Sequence, residues 1–383
     1  MRANTRLVHI ITGLSDGGAE AVLYRLCTRD EAYRHAVVSL MDMGKYGPLL
    51  EKAGIPVYCL NIPRGRIPLV ALLRLWRLLR NLRPELVQTW MYHADLIGGI
   101  SARVAGIRPV VWGVRNTTLE PGESSRTTIL IARVLARFSR WVPRRIAVCA
   151  QKAVEVHGAL GYDTSIMRVI PNGYDLTQFM PSETTGGCLR AEWGVPPEMP
   201  LLGLVGRFDP QKDHGNLFNA LVLIRERGMD FLCILVGTGL EEDNGPLVSQ
   251  ISSLGLQRHI KLLGRRNDIP SVMNALDLHV LSSAYGEAFP NVLAEAMACA
   301  TPCVTTDVGD AALIVGDSGW VVPPRDSSAL ADAIEMAMIE RADREKWMSR
   351  CQASRNRVAE NFGIDRMVAS YQSVWRDALN EAE

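Results

Sequence analysis

In LLGLVGRFDPQKDHGN, residues 201–216, a near-continuous apolar run breaks at a glycine into a charged loop, and a helix-forming stretch follows. An apolar run without polar alternation marks a strand covered on both faces. A strand followed by a helix is the repeating unit of a parallel sheet. The same unit recurs along the chain. Strands are predicted at 7–12, 35–40, 56–60, 86–90, 110–114 and 145–149, then at 201–206, 231–237, 260–264, 277–283 and 302–307. Each is followed by enough chain for a crossover helix. The Pro/Gly/Thr-rich stretch PNGYDLTQFMPSETTGG (171–187) separates the two series. The prediction is therefore α/β, with two doubly wound Rossmann-like domains, 1–172 and 173–363, and a final helix within 364–383 that could pack back on the first.

Bulk properties agree. A chain of 383 residues exceeds one ordinary core and suits two domains of about 150–200 residues. Hydrophobic content of 48% and charged content of 22% are those of a soluble enzyme. The opening residues read as a first strand and not as a signal peptide. The eight cysteines are scattered, and the close pair Cys299 and Cys303 lacks partner ligands for zinc. The simple reading is a reduced, cytoplasmic chain without a structural metal.

In open α/β sheets, ligands bind beyond the carboxyl ends of strands. After the first strand comes TGLSDGGAE (12–20), where Gly17 and Gly18 precede a helix and suit a phosphate. It is neither the dinucleotide fingerprint nor a P-loop, and a plain helix-start turn is an equal reading. After the strand at 201–206, Arg207 and Lys212 offer two cations beside a helix N-terminus, a diphosphate clamp or merely solvated loop charges. Farther on, YGEAFPNVLAEAMACATP (285–302) is small and apolar yet carries Glu287 and Glu295. Pro290 is expected as the first helical residue. Glu287 then lies in the loop, and Glu295 points from the second turn, so the two carboxylates reach different hydroxyls of an extended ligand.

The E-x7-E spacing of GEAFPNVLAEAMA, with GRFDPQKD, VIPNGYDLTQF (169–179), LLGRRNDIP (262–270) and GGAE (17–20) in one order, closely resembles retaining GT-B glycosyltransferases of the family-4 type. That resemblance implies two domains facing across a cleft, the second holding a nucleotide-sugar donor (a UDP-sugar favoured) and the first an acceptor. It implies that Glu295 binds the ribose and that Glu287 faces the transferred sugar with the backbone of Phe289, Pro290 and Asn291. Arg207 and Lys212 would bind the diphosphate, Gly17 and Gly18 would close on it, and Gly264 and Arg265 would meet the base. His93, in WMYHADLIGG (90–99), would sit near donor sugar and acceptor; a helix-start residue is the bland alternative. Ala288 stands where many relatives have Gly. Asn172 either contacts ligand or shapes the turn. Lys212→Ala and Arg207→Ala are expected to spare the fold and lower turnover.

Charge is lopsided. Residues 1–180 hold 24 Lys/Arg against 13 Asp/Glu, a balance of +11; the remainder has 42 − 24 = 18 against 41 − 13 = 28, a balance of −10. Two arginine-rich stretches, 64–85 and 126–145, mix Arg with Leu, Ile and Trp. Each is either a core helix with solvated arginines or a surface that binds anionic membrane. With the resemblance, the expectation is an enzyme peripheral to the inner face of a bacterial membrane that extends a sugar on a lipid carrier. No D-x-D pair is present, so no metal is expected. Nucleic acid lacks any motif. A nucleotide-sugar epimerase, or a transferase with a soluble acceptor, is the alternative.

Overall fold

The computed structural model describes residues 5–63, 68–117, 119 and 124–381; residues 64–67 of the first arginine-rich stretch, and 382–383 of the predicted terminal segment, lie outside them. The chain divides into two compact units, Met1–Gly173 with Ile364–Glu383, and Tyr174–Gly363. The first holds β1 (Arg6–Ile11), β2 (Arg34–Ser39), β3 (Val57–Cys59), β4 (Leu86–Trp90), β5 (Val110–Val114), β6 (Arg145–Val148) and β7 (Met167–Val169). The second holds β8 (Leu201–Val205), β9 (Leu232–Val236), β10 (Ile260–Gly264), β11 (Leu278–Leu281), β12 (Cys303–Thr306) and β13 (Trp320–Val322).

The sheet orders are β3-β2-β1-β4-β5-β6-β7 and β10-β9-β8-β11-β12-β13. Every pairing is parallel, as in β1 on β4, where Leu7 meets Leu86 and Ile11 meets Trp90. The strands β4, β5, β8, β11 and β12 are buried throughout, which accounts for their lack of alternation. Both sheets reverse winding direction beside their first strand, between β1 and β4 and between β8 and β11. These are the switch points, where crossover helices leave to opposite faces and open a crevice at the carboxyl ends.

Two details differ from the sequence reading, and a third settles where the last helix packs. The short edge strands β7 and β13 are additional to the predicted set. The stretch 171–187 is not all linker: Ser182 caps a helix, Glu183–Glu192, by accepting from the Thr185 N–H at 3.2 Å. The helix Ile364–Asn380 packs on the first unit, burying Trp375 and Tyr371 against Trp90 and Leu7.

That helix also closes a buried polar row. The Trp375 indole N–H donates to Gln88 Oε1 at 3.0 Å, and the Gln372 amide donates to Asp30 Oδ1 at 2.7 Å. Trp90 Nε1–H donates to His9 Nδ1 at 3.1 Å, so His9 carries its proton on Nε2 and donates it to His35 Nδ1 at 2.9 Å. His35 Nε2 in turn donates to Asp30 Oδ2 at 3.0 Å. His9, His35 and Cys27 bring possible ligand atoms within 4.8 Å of one another. The His9 and His35 ring nitrogens are all committed to this row, which leaves no lone pair for a metal without breaking it.

Acid should loosen both units, the second more. Burial, with Lys212 nearby, drops His214 to about 4 and His279 to about 3. Each has a ring nitrogen buried without a partner among the described residues, so neither site accommodates a second proton. A depressed histidine contributes stability above its unfolded value of 6.5 that is lost as pH falls below it. At pH 5, one and a half units lower, that loss is about 2 kcal/mol per histidine. In the first unit, burial drops His9 and His157 as well. There burial also raises Asp95 to about 8, and Asp95 regains stability as pH falls. Calorimetric scans at pH 7 and pH 5 should show the second unit losing more of its melting temperature. Equal or reversed shifts would contradict the assignment.

Candidate active site

The loops at the second unit's switch point hold most of the predicted residues. After β8, the Gly206 N–H bonds back to Val236 O at 2.8 Å. Across from it Gly237 adopts φ +150°, and a Cβ there would stand 1.9 Å from Gly206 O. The ends of β8 and β9 therefore touch backbone to backbone, which only glycine permits. Arg207 leaves this platform mostly exposed, its guanidinium held by Asp209 at 3.0 Å and by Gln211 Oε1 at 3.2 Å. Asp209 also accepts from the Gln211 N–H at 3.0 Å, starting the turn Pro210–Lys212. Asp213, at φ +46°, ends that turn and caps the helix His214–Glu226. The turn sends Lys212 inward.

Lys212 Nζ meets Glu287 Oε1 at 2.6 Å, with side chains 13% and 9% exposed. Ser283 Oγ donates to the same oxygen at 2.7 Å. Ser282 Oγ donates to Lys212 O at 2.7 Å, tying the loop after β11 to the turn after β8. The Glu287 loop is fixed from behind. Thr306 Oγ1 donates to Ser283 O at 2.6 Å, and the Asp310 N–H donates to Ala288 O at 3.0 Å. Gly309, at φ +63°, lies so close that a Cβ would stand 2.1 Å from Glu287 O.

The loop runs into the helix Asn291–Ala298. Pro290 is the residue before that helix, not its first residue: its ψ of 100° keeps the chain extended, and the neighbouring Phe289 packs on Phe362 with ring centroids 5.3 Å apart. Tyr174 Oη donates to Asn291 Oδ1 at 2.5 Å. Glu295 is half-buried on the second turn. Gly264 ends β10 at φ +61°, with its N–H donating to Leu240 O at 3.0 Å and its O accepting from the Gly237 N–H at 2.8 Å. Its backbone is thus already engaged, and Arg265 beside it is exposed.

In the first unit the predicted residues follow β1 and β4. Gly17 caps the helix Gly18–Arg29. A Cβ at Gly17 would stand 2.4 Å from Glu20 Oε2, so a carboxylate folds back over the helix start. Burial raises the Glu20 pKa, opposed by its own backbone N–H and by Arg115. His93 sits in the first turn of Tyr92–Val104, after Met91 at φ +70°, a strained value for a non-glycine residue. Its imidazole is half-buried, has no hydrogen-bond partner among the described residues, and burial lowers its pKa. Such a group can accept or relay a proton near neutral pH. Asn172 accepts from Arg115 Nη1 at 3.0 Å.

Ser283, Gly309 and Arg115 belong to these constellations and were not singled out by sequence. A hydroxyl at a strand's carboxyl end and the V-G-D turn at 308–310 were the available signals.

The model described as "Glycosyltransferase Family 4" matches residues 16–178 and that described as "Glycosyl transferases group 1" matches residues 189–353. The chain belongs to this family of glycosyltransferases. It is 25% identical over 337 residues to the Escherichia coli UDP-Gal:alpha-D-GlcNAc-diphosphoundecaprenol alpha-1,3-galactosyltransferase, covering 85% of this chain and 83% of that one. Anabaena Alr3699/HepE, solved with UDP and glucose, superposes with a TM-score of 0.83 at 25% identity, over 96% of this glycosyltransferase and 98% of that chain. Sucrose-phosphate synthase from Thermosynechococcus elongatus shares the fold, with a TM-score of 0.79 at 19% identity, over 99% and 100% of the two chains. The fold of this glycosyltransferase is GT-B.

Proposed function

We propose that this enzyme moves a hexose or N-acetylhexosamine from a UDP-sugar to a sugar on a lipid diphosphate, retains the donor's anomeric configuration, and needs no metal. The observation that carries this reading is the buried Lys212–Glu287–Ser283 cluster with Arg207 beside it, at the switch point of the second sheet. Lys212 has three N–H donors and gives one to Glu287. The others, with Arg207, suit a diphosphate whose charge grows as the glycosidic bond breaks. Glu287 accepts hydrogen bonds and so suits sugar hydroxyls, and Glu295 suits the ribose. The donor class draws support from the UDP complex of the Anabaena relative, and the acceptor class from the E. coli relative's name. No covalent nucleophile is assigned beside Glu287, which favours attack on the face the diphosphate leaves.

The membrane half rests on one helical layer. The helices Leu69–Leu82, Tyr92–Val104 and Arg126–Phe138 pack in series. They and the turn after them expose Leu69, Leu73, Val104, Leu130 and Trp141 beside exposed Arg74, Arg77, Arg133 and Arg137. Apolar residues interleaved with arginine suit an anionic bilayer surface, at about 1 kcal/mol per arginine. No helix among the described residues is long and apolar enough to cross a membrane.

The test supplies UDP-sugars and a diphospholipid-linked sugar in chelator. An α-linked product from an α-linked donor is expected by NMR; a β-linked product, or activity restored only by a divalent ion, would refute retention or metal independence. Separately, the protein should sediment with anionic vesicles at low salt and detach as salt screens the attraction. Neutralising the four arginines should abolish sedimentation. Failure of the wild-type protein to sediment at low salt, with the neutralised variant behaving the same, would leave a soluble acceptor.

A further inference from the structure

The first unit carries a guanidinium whose hydrogen bonding is half complete. Arg115 follows β5 at the carboxyl edge. Its Nη1 donates to Asn172 Oδ1 at 3.0 Å, and its Cζ lies 5.0 Å from the centroid of the Trp90 ring. Trp90 is itself fixed by its bond to His9 at 3.1 Å. Arg115 is thus held on two sides, yet Nη2 is buried with no partner among the described residues. No carboxylate among them is within ion-pair distance of it; Glu20, the acid it influences, is folded over Gly17. Natural proteins rarely leave a buried donor of this kind unsatisfied, because the lost hydration is not recovered. A planar guanidinium with fixed orientation and an unpartnered Nη2 matches the oxygens of a phosphate.

We propose that Arg115, oriented by Asn172 and Trp90, is a phosphate-binding residue of the first unit, and that the group it takes is a phosphate of the acceptor. This deepens the reading above and rests on it for the word acceptor. The donor diphosphate offers the same chemistry, so the experiment separates the two sources.

Inorganic pyrophosphate is the probe, titrated calorimetrically into the full chain carrying Lys212→Ala, which weakens the donor clamp. Adding Arg115→Gln should weaken pyrophosphate binding at least about tenfold, the scale for a lost charge-assisted bond. In otherwise wild-type protein, Arg115→Gln should leave UDP affinity within about twofold, since its target is not the donor. Unchanged pyrophosphate binding would overturn the proposal, and so would a fall in UDP affinity to match. Arg115→Lys keeps the charge but lacks the fork that bonds Asn172 through one arm and leaves the other unpartnered, so it should lose binding in the same direction. Undiminished binding in that variant would overturn the proposal equally, even if Arg115→Gln failed to fold. Wild-type protein that binds no UDP at all would instead refute the donor reading.

Discussion

Lys212→Ala is expected to lower turnover at least about 100-fold, the scale for removing one preorganised charge from a developing leaving group. The geometry alters the other half of the expectation, that folding would be spared. Glu287 is buried, and Lys212 is its cation. Taking the lysine away strips a buried carboxylate of its cation, and breaking a buried pair costs about 3–5 kcal/mol. The double variant Lys212→Ala, Glu287→Gln removes the stranded charge. It should recover stability in urea titrations while turnover stays low. Recovered turnover together with recovered stability would reduce Lys212 to a structural residue. Arg207 offers the contrast: 62% exposed and paired at the surface, it contributes under about 1 kcal/mol to folding. A soluble Arg207→Ala variant with undiminished turnover would remove it from the clamp.

Gly309→Ala is the second large effect, at a residue that touches no predicted ligand. Its φ of +63° already disfavours alanine, and the added Cβ would stand 2.1 Å from Glu287 O and 2.8 Å from Ala288 O. Backbone that close must move, and it is the backbone that presents Glu287. Misplacement of about 1 Å can cost about 100-fold in rate, which is the loss expected here together with weaker sugar-nucleotide binding. Gly54→Ala is the control, since Gly54 has φ +80° and open space around its Cβ position. It carries the conformational strain, of order 1–2 kcal/mol, without the displacement. If the two variants lose activity alike, the backing role of Gly309 is wrong.

Much of this architecture was legible in the chain, for reasons that differ by element. The buried strands announced themselves because covering both faces removes all polar alternation; β4 and β8 are the plain cases. β7 and β13 escaped because each is three residues set in a stretch without a longer apolar run, unlike β3 within PVYCL (56–60). The helix Glu183–Glu192 was hidden by the two glycines in TTGG. At Gly186 the glycine serves packing, since a Cβ there would stand 2.1 Å from Asn274 O. Glu287 and Glu295 were visible because charge inside a small apolar helix is costly and asks for a reason. Ser283, Gly309 and Arg115 were not, because their importance lies in atoms brought near by folding. Ser283 matters through an oxygen four residues away, and Gly309 through a carbonyl twenty-two residues before it.

The return of Ile364–Asn380 to the first unit has a consequence for synthesis. A ribosome finishes β1 to β7 long before it makes this helix, and the whole second unit emerges in between. Domains usually fold as they appear, the earliest first. Here the earliest cannot finish. Until residue 375 is out, Gln88 lacks its indole donor, Asp30 lacks Gln372, and the apolar face over Leu7 and Trp90 lacks its cover. The second unit, continuous in sequence, can complete its core without waiting for this segment. The half translated first is therefore the half completed last, and a chain ended after residue 363 would hold a complete second unit and an unsealed first one.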